Sequence, residues 1–238
     1  MTISRTARRA KMLIDQVRSG GKDEAMADLR RWANSETHAV GLRRVLEIEP
    51  DPPKSLVPLT AKPIDATTAP RIFDVEGLSP IDQLYLDRRQ NMYDAGFRGG
   101  WCAVDPEGNP AYVQWLIPGA DGPKVRAFFG DLFPPLDEDT LFIEGAWIPP
   151  MFRKQKVMSE GLALVTRAAA DATPGSRFAV AFVTEDNRGA AFGTRAAGYD
   201  VFMKRTERWR MGRLTTTFGP ATEDDFAIFA PREARLPS

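Results

Sequence analysis

Apolar residues recur at helical spacing in the first part of the chain. Residues 4–19 and 22–34 each predict a helix, and a serine and two glycines separate the pair. Residues 36–48 predict a third, shorter helix, because apolar residues recur there every three or four positions. Residues 1–49 are therefore expected to form a helical N-terminal arm, whose polar face is rich in arginine.

A cluster of prolines interrupts this pattern between residues 50 and 70. Proline cannot continue a helix and disfavours a central strand, so this segment predicts a linker or an extended wrapping segment. A domain boundary is expected there. Residues 71–218 would form the main domain, and residues 219–238 a C-terminal tail.

Strand and helix patterns alternate after the linker. Ser79 and Pro80 predict a helix start, since serine caps helices well and proline fits the first helical position. The expected apolar stripe of that helix is Ile81, Leu84 and Tyr85. The other predicted elements are strands at residues 72–75, 101–104, 111–117, 141–148, 178–183 and within 199–214, and helices at residues 157–171 and 187–197.

The order of these elements predicts an α/β fold. Strand, helix and strand from residue 141 to residue 183 form a crossover unit whose two strands should be parallel. The two strands between residues 101 and 117 are joined by a turn and should be antiparallel. The main domain is therefore expected to have a mixed central sheet with helices on both faces.

Composition narrows the range of functions. Lysine plus arginine and aspartate plus glutamate each number 32, so no net charge favours nucleic acid. No apolar window has the length of a membrane helix and no targeting segment is evident, so the expected location is cytoplasmic. The lone cysteine, Cys102, is expected to be a core residue, and the lone histidine, His38, a surface residue of the arm. No metal site is predicted.

The segment after the strand at residues 141–148 carries the most informative chemistry. This strand leads into the helix at 157–171 through a turn that contains Arg153, Lys154 and Lys156. The free amides and the positive dipole at a helix N-terminus attract phosphate, and the three cations add charge there. The turn therefore predicts an anion site.

Two stretches resemble the GCN5-related N-acetyltransferase (GNAT) superfamily. The end of the strand and the loop that follows it match at Ile148, Pro150, Phe152 and Arg153. The chain departs from the R-x-x-G-x-G loop at both glycine positions, where Lys156 and Met158 stand. The second stretch matches the family pattern at Asn187, Ala190, Gly193, Thr194, Gly198 and Tyr199. Together the two stretches extend the resemblance over about residues 70–218.

The resemblance implies an acyl-CoA N-acyltransferase fold. It also implies direct transfer of an acetyl or longer acyl group from acetyl-CoA or another acyl-CoA to an amine, in a ternary complex. The residues it places at the cofactor are Trp147, Ile148, Arg153, Lys154, Gln155, Lys156, Val157, Met158 and Asn187. Glu144 is the candidate base that deprotonates the amine. Thr194 stands where many family members have the tyrosine that protonates the departing thiolate. Tyr112 and Tyr199 are weaker candidate acids.

Two other functions stay open at this point. The loss of the loop glycines favours a non-catalytic binding or interaction protein on the same fold. The arginines near the donor site favour an acyl carrier protein as donor. The acceptor would be a small-molecule or protein amine, and a homodimer is also compatible.

Two further segments each have a functional and a structural interpretation. An arginine-rich run is expected either to recognise an acidic acceptor or to form a solvated hairpin. It consists of Lys204, Arg205, Arg208, Arg210 and Arg213. The cluster Phe128, Phe129, Leu132 and Phe133 receives a longer acyl chain or packs in the core.

Overall fold

The computed structural model describes residues 34–211, 213–226 and 229. The helices predicted at residues 4–19 and 22–34 lie outside this part of the chain, except for Asn34, which begins a strand. Most of the predicted C-terminal tail lies outside it as well. The remaining predictions can be compared with the structure element by element.

The described residues form one eight-stranded mixed sheet, in the order β2-β3-β4-β5-β6-β1-β7-β8. Only β5 and β6 are parallel among the recorded pairs, as the crossover pattern predicts. The strands are β1 (Asn34–Val45), β2 (Thr60–Pro63), β3 (Gly100–Val104), β4 (Pro110–Pro118), β5 (Thr140–Trp147), β6 (Phe178–Thr184), β7 (Asp200–Arg210) and β8 (Arg213–Pro220).

Helices cover both faces of this sheet. The α-helices are α1 (Ala69–Ile72), α2 (Pro80–Asp94), α3 (Gly122–Phe129), α4 (Val157–Ala172), α5 (Arg188–Ala196) and α6 (Glu223–Phe226). One apolar core joins the sheet to α4 and α5, and a second joins it to α2 and α3. Successive residues of β5 alternate between the cores, with Leu141 and Ile143 in the first and Phe142 in the second. The predicted α/β fold class is confirmed. None of the described helices has the length and apolar character needed to cross a membrane.

The prediction of a helix at residues 36–48 is wrong. This segment forms strand β1, which lies inside the sheet and pairs antiparallel with both β6 and β7. Ala39, Val40 and Leu42 are fully buried, as in strands that have a packed layer on each face. A short apolar run fits either a buried strand or a buried helix, and its partners decide the outcome. Residues 34–45 are therefore part of the sheet, not of a separate arm.

The structure differs from the sequence prediction, or adds to it, at several further positions. Residues 72–75 were expected to be a strand, but Ile72 ends the short helix α1. The proline-rich segment contributes an edge strand, β2, and the region at 118–139 contains helix α3. Helix α2 begins at Pro80 with Ser79 as its cap, as predicted, but its expected apolar stripe faces solvent. Its buried side chains are Asp82, Leu86, Arg89 and Met92.

Candidate functional site

A cleft opens in the sheet where β5 and β6 separate. The two strands pair from Thr140 opposite Phe178 to Ile143 opposite Ala181, and no later pair is recorded between them. Both strands nevertheless continue, β5 to Trp147 and β6 to Thr184. Beyond Ile143 the side of β5 that faces β6 therefore has no strand partner, while the carbonyl oxygens of Glu144, Gly145 and Ala146 accept from the Gln114 and Arg89 side chains. An unpaired strand edge can bind an extended ligand through its remaining backbone groups.

A bulge in β5 bends the strand at this point. Trp115 of β4 lies opposite Glu144, but Val113 lies opposite Trp147, so β5 has one more residue than β4 between these pairs. Gly145 adopts a positive φ of 74°, and a Cβ atom there would lie 3.2 Å from the Trp115 ring. Glycine is needed for both reasons. A bulge bends the strand that contains it, and the pairing of β5 with β6 ends just before this one.

Arg89 holds the bulge in place from helix α2. Its Nε donates to the carbonyl oxygen of Gly145 at 2.8 Å, and its Nη2 donates to the carbonyl oxygen of Ala146. The pKa of this guanidinium is lowered to about 10, chiefly by burial, with the nearby Glu144 carboxyl acting in the opposite direction. Arg89 therefore remains protonated at neutral pH. Sequence patterning missed this residue because its charge suggests an exposed position.

Glu144 lies at the base of the cleft, between the last paired residue of β5 and the bulge. Burial raises the pKa of its carboxyl, while the Gly145 amide and the guanidinium groups of Arg89, Arg205 and Arg88 act in the opposite direction. A carboxylate with a raised pKa is a stronger base than an exposed glutamate. Its position and its protonation chemistry both suit proton abstraction inside the cleft.

The N-terminus of α4 follows the end of β5 and offers free amides. Lys156 occupies the cap position with a left-handed backbone, and no side chain caps the helix there. Lys154 and Lys156 have φ values of 64° and 59°, in the region that glycine adopts without strain. Each such position costs a non-glycine residue roughly 1 kcal/mol. The loop thus has a glycine-like backbone shape at Lys156, where the resemblance expects a glycine.

The other loop residues have varied surroundings. Arg153 forms an ion pair with the buried Asp82 of α2, and its Nε donates to the carbonyl oxygen of Ile148 at 3.3 Å. This hydrogen-bonded pair lowers the pKa of the Asp82 carboxyl. Gln155 donates to the carbonyl oxygen of Met151 at 2.8 Å. Arg153 is therefore already held against α2, and its direct contact with a diphosphate stays a prediction.

Two side chains of α4 point into the protein. Val157 is buried in the core, so only its backbone amide is available at the helix start. Met158 packs against helix α5, where a side chain at Gly193 would collide with it. The methionine therefore occupies the gap between α4 and α5 and lines the cleft below the helix start. Of the two preceding strand residues, Trp147 is buried and Ile148 is partly buried.

Helix α5 forms the opposite wall of the cleft. Asn187 caps this helix, with its Oδ1 accepting from the amide of Ala190 at 3.2 Å, and Thr194 is buried about two turns further on. Both line the cleft. Tyr112 and Tyr199 are buried and do not line it. Tyr199 shares a 2.8 Å hydrogen bond with Thr166, and Tyr112 donates to Gln114. Burial raises the pKa of both phenols.

The structure thus brings Glu144, Met158, Asn187 and Thr194 together around one cleft of about 1470 Å³. The loop from Arg153 to Val157 adjoins this cleft but does not line it. Cys102 and His38 lie elsewhere. Burial raises the pKa of the Cys102 thiol to about 11, which disfavours the thiolate. His38 hydrogen-bonds to Thr206 at 3.1 Å on the neighbouring strand.

Several solved structures are similar to this chain. A GCN5-related N-acetyltransferase from Sphaerobacter thermophilus is 15% identical, with a TM-score of 0.46, over 79% of this chain and 57% of its own. A GNAT-family acetyltransferase from Colwellia psychrerythraea is 12% identical, with a TM-score of 0.45, over 79% and 61%. A functionally unknown conserved protein from Staphylococcus epidermidis is 11% identical, with a TM-score of 0.48, over 79% and 66%.

The chain therefore spans about three fifths of the length of these similar proteins. No model of a protein family matches it, and no curated protein matches it either.

Proposed function

We propose that this chain is an N-acyltransferase of the GNAT superfamily that transfers an acyl group directly from an acyl-CoA to an amine. The observation that carries the proposal is the free edge of β5 beyond Ile143, which leads towards the uncapped N-terminus of α4. An extended thioester arm that ends in a diphosphate fits this pair of features. A strand edge binds the arm by backbone hydrogen bonds, and helix amides bind the phosphates.

The donor would lie along the residues that connect these two features. Trp147 and Ile148 would bind the arm through their backbone groups. The amides of residues 156–158, with the exposed ammonium groups of Lys154 and Lys156, would hold the diphosphate. Arg153 would position this loop through its ion pair with Asp82. Asn187 would fix the start of α5 on the other side of the cleft.

Glu144 would remove the proton that the amine must lose as its nitrogen bonds to the acyl carbon. A bound acyl-CoA would supply the activated acyl group, and the carbon–sulfur bond would break as the carbon–nitrogen bond forms. An amide N–H of the bulged segment of β5 would stabilise the charge on the acyl oxygen. The thiolate would receive its proton from water or from another acidic group, because the Thr194 hydroxyl is too weak an acid to supply it.

One observation favours a second function, a non-catalytic binding protein on the same fold. Met158 fills the gap between α4 and α5 where the family resemblance expects a small residue. A protein that no longer binds an acyl-CoA would tolerate the Met158 side chain in this gap. Titration calorimetry with acetyl-CoA separates the two functions, since the enzyme requires binding and the second function predicts no heat at millimolar ligand.

Replacing Lys154 and Lys156 together with Ala is expected to weaken acetyl-CoA binding about tenfold, because two charged contacts to phosphate are lost. The loss should shrink at high salt, which screens exposed charges. Calorimetry at two salt concentrations measures both effects. The matched control is Lys62→Ala, an exposed lysine of edge strand β2, which should bind as the wild type does. Equal affinity in the double variant would place the phosphates elsewhere.

A further inference from the structure

Positively charged side chains outnumber acidic side chains in the walls of the cleft. Its walls contain four arginines and two acids, namely Arg88, Arg89, Arg205, Arg213, Asp131 and Glu144. Asp131 is exposed and pairs with Arg126, which does not line the cleft, at 3.0 Å. Glu144 is the proposed base. The cleft therefore offers guanidinium groups to whatever binds beside Glu144.

Arg205 is fixed in the wall of the cleft. It is 6% exposed, and its guanidinium lies 5.2 Å and 5.3 Å from the ring centres of Phe133 and Phe182. Its Nη2 lies 3.0 Å from the Glu207 carboxylate, and its Nη1 donates to the Leu132 carbonyl oxygen at 3.4 Å. A guanidinium that is stacked on aromatic rings is held in one orientation, so it can recognise an anion with little loss of entropy.

Arg88 and Arg213 lie on the surface of the same cleft. Both are exposed, and neither side chain has a hydrogen bond or an ion pair with the described residues. The other cations of the hairpin have partners outside the cleft. Arg208 pairs with Glu36, Arg210 with Asn34, and Lys204 with Asp225. Of the arginine-rich run noted in the sequence, only Arg205 and Arg213 therefore line the cleft.

Aromatic side chains line the part of the cleft that contains Arg205. Phe128, Phe129, Phe133 and Phe182 all line the cleft, and the first three contact one another edge to face in sequence, with ring centres 4.8 Å and 5.3 Å apart. The segment at 128–133 therefore packs in the core and also presents phenyl groups to the cleft. Its position beside the arginines indicates contact with the acceptor.

We infer that the acceptor is an amino acid with an apolar side chain. This inference rests on the proposed function. The amine would face Glu144, the carboxylate would bind the arginines that line the cleft, Arg88 and Arg213, and the side chain would pack on the phenyl groups. A polyamine would be repelled by the same arginines, because like charges in a binding site exclude a partner. The transfer forms the amide bond and breaks the thioester, with the amine proton passing to Glu144 and a proton returning to the thiolate.

The test compares acceptors that differ in charge at one position. L-Phenylalanine, L-leucine, L-methionine and L-tryptophan are each assayed with acetyl-CoA, beside their amides, phenethylamine and putrescine. Thiol release gives the rate, and mass spectrometry identifies the N-acetyl product. For the best acid, kcat/KM is expected to exceed that of its amide about 100-fold, because a charged contact is lost in the amide. Equal or faster turnover of the amide or of putrescine would overturn the inference.

Variants at the cleft then separate recognition from folding. Arg88→Gln and Arg213→Gln are each expected to raise KM for the acid about tenfold with little change in kcat, and to leave the amide unaffected. Arg208→Gln, on the same hairpin but paired with Glu36, is the control and should match the wild type. Equal losses for acid and amide would also contradict the inference.

The two proposals fail in different ways. If acetyl-CoA does not bind in calorimetry, the proposed function itself is wrong. If acetyl-CoA binds but none of the four acids is acetylated, the donor site stands and the inference about the acceptor is overturned.

Discussion

Glu144→Gln is expected to lower kcat about 100-fold to 1000-fold with the best amine acceptor, because the amide cannot accept the proton that the amine must lose. Acetyl-CoA binding should stay within about twofold of the wild type, since the side chain contributes to the chemical step and not to the donor contacts. Steady-state kinetics and calorimetry on one protein preparation measure both quantities. Unchanged kcat would remove Glu144 from the mechanism.

The stability of the same variant provides a control. Because burial raises the folded-state pKa of Glu144, its contribution to stability is present at low pH and is lost as the pH rises through that pKa. Glu144→Gln abolishes this dependence and should be at least as stable as the wild type at pH 8. The activity should fall while the melting temperature does not. A fall in both would indicate a structural role instead.

Arg89→Leu is expected to lower the free energy of unfolding by about 3 kcal/mol. The carbonyl groups of Gly145 and Ala146 would lose their donor inside the protein, and each unsatisfied buried group costs about 1 to 3 kcal/mol. Urea denaturation followed by tryptophan fluorescence measures the change. Arg88→Leu is the matched control at the next position, since Arg88 is exposed and should change stability by less than about 0.5 kcal/mol.

Loss of Arg89 should also affect the donor site. Without the hydrogen bonds from Arg89, the bulge after Glu144 is no longer fixed. Acetyl-CoA should therefore bind more weakly even at temperatures where the variant is folded. Arg89→Lys should recover part of the stability, because an ammonium group reaches one carbonyl but cannot make the forked contact. A fully stable Arg89→Leu variant would show that the bulge is held by other contacts.

The sequence predicted the crossover unit and the mixed sheet because those features depend on local patterns. The near-continuous apolar run of β6 and the helical spacing of α4 each indicate one element, and their order fixes the parallel pair. Strand β1 could not be recognised in this way. Its place between β6 and β7 depends on partners more than 130 residues away, such as Thr184 opposite Ala39.

The site was predictable where it follows chain order and not where it depends on tertiary contacts. Glu144, Asn187 and Thr194 came from the family resemblance, and the fold brings all three to one cleft. Arg89 was missed because the expected apolar stripe, formed by Ile81 and its neighbours, lies on a face of α2 adjacent to the one that is buried. The buried face instead contains Asp82 and Arg89. Asp82 holds the loop after β5 through Arg153, and Arg89 holds the bulge in β5.

Hydrogen–deuterium exchange with and without acetyl-CoA tests most directly whether the open edge of β5 and the start of α4 form the donor site. Peptides covering residues 144–148 and 154–160 should exchange more slowly when the ligand is bound, because the amides in them that have no acceptor within the protein then gain one. A peptide from the β7–β8 hairpin around Arg208 should be unchanged. Protection at neither segment, in a protein that binds acetyl-CoA, would contradict the account.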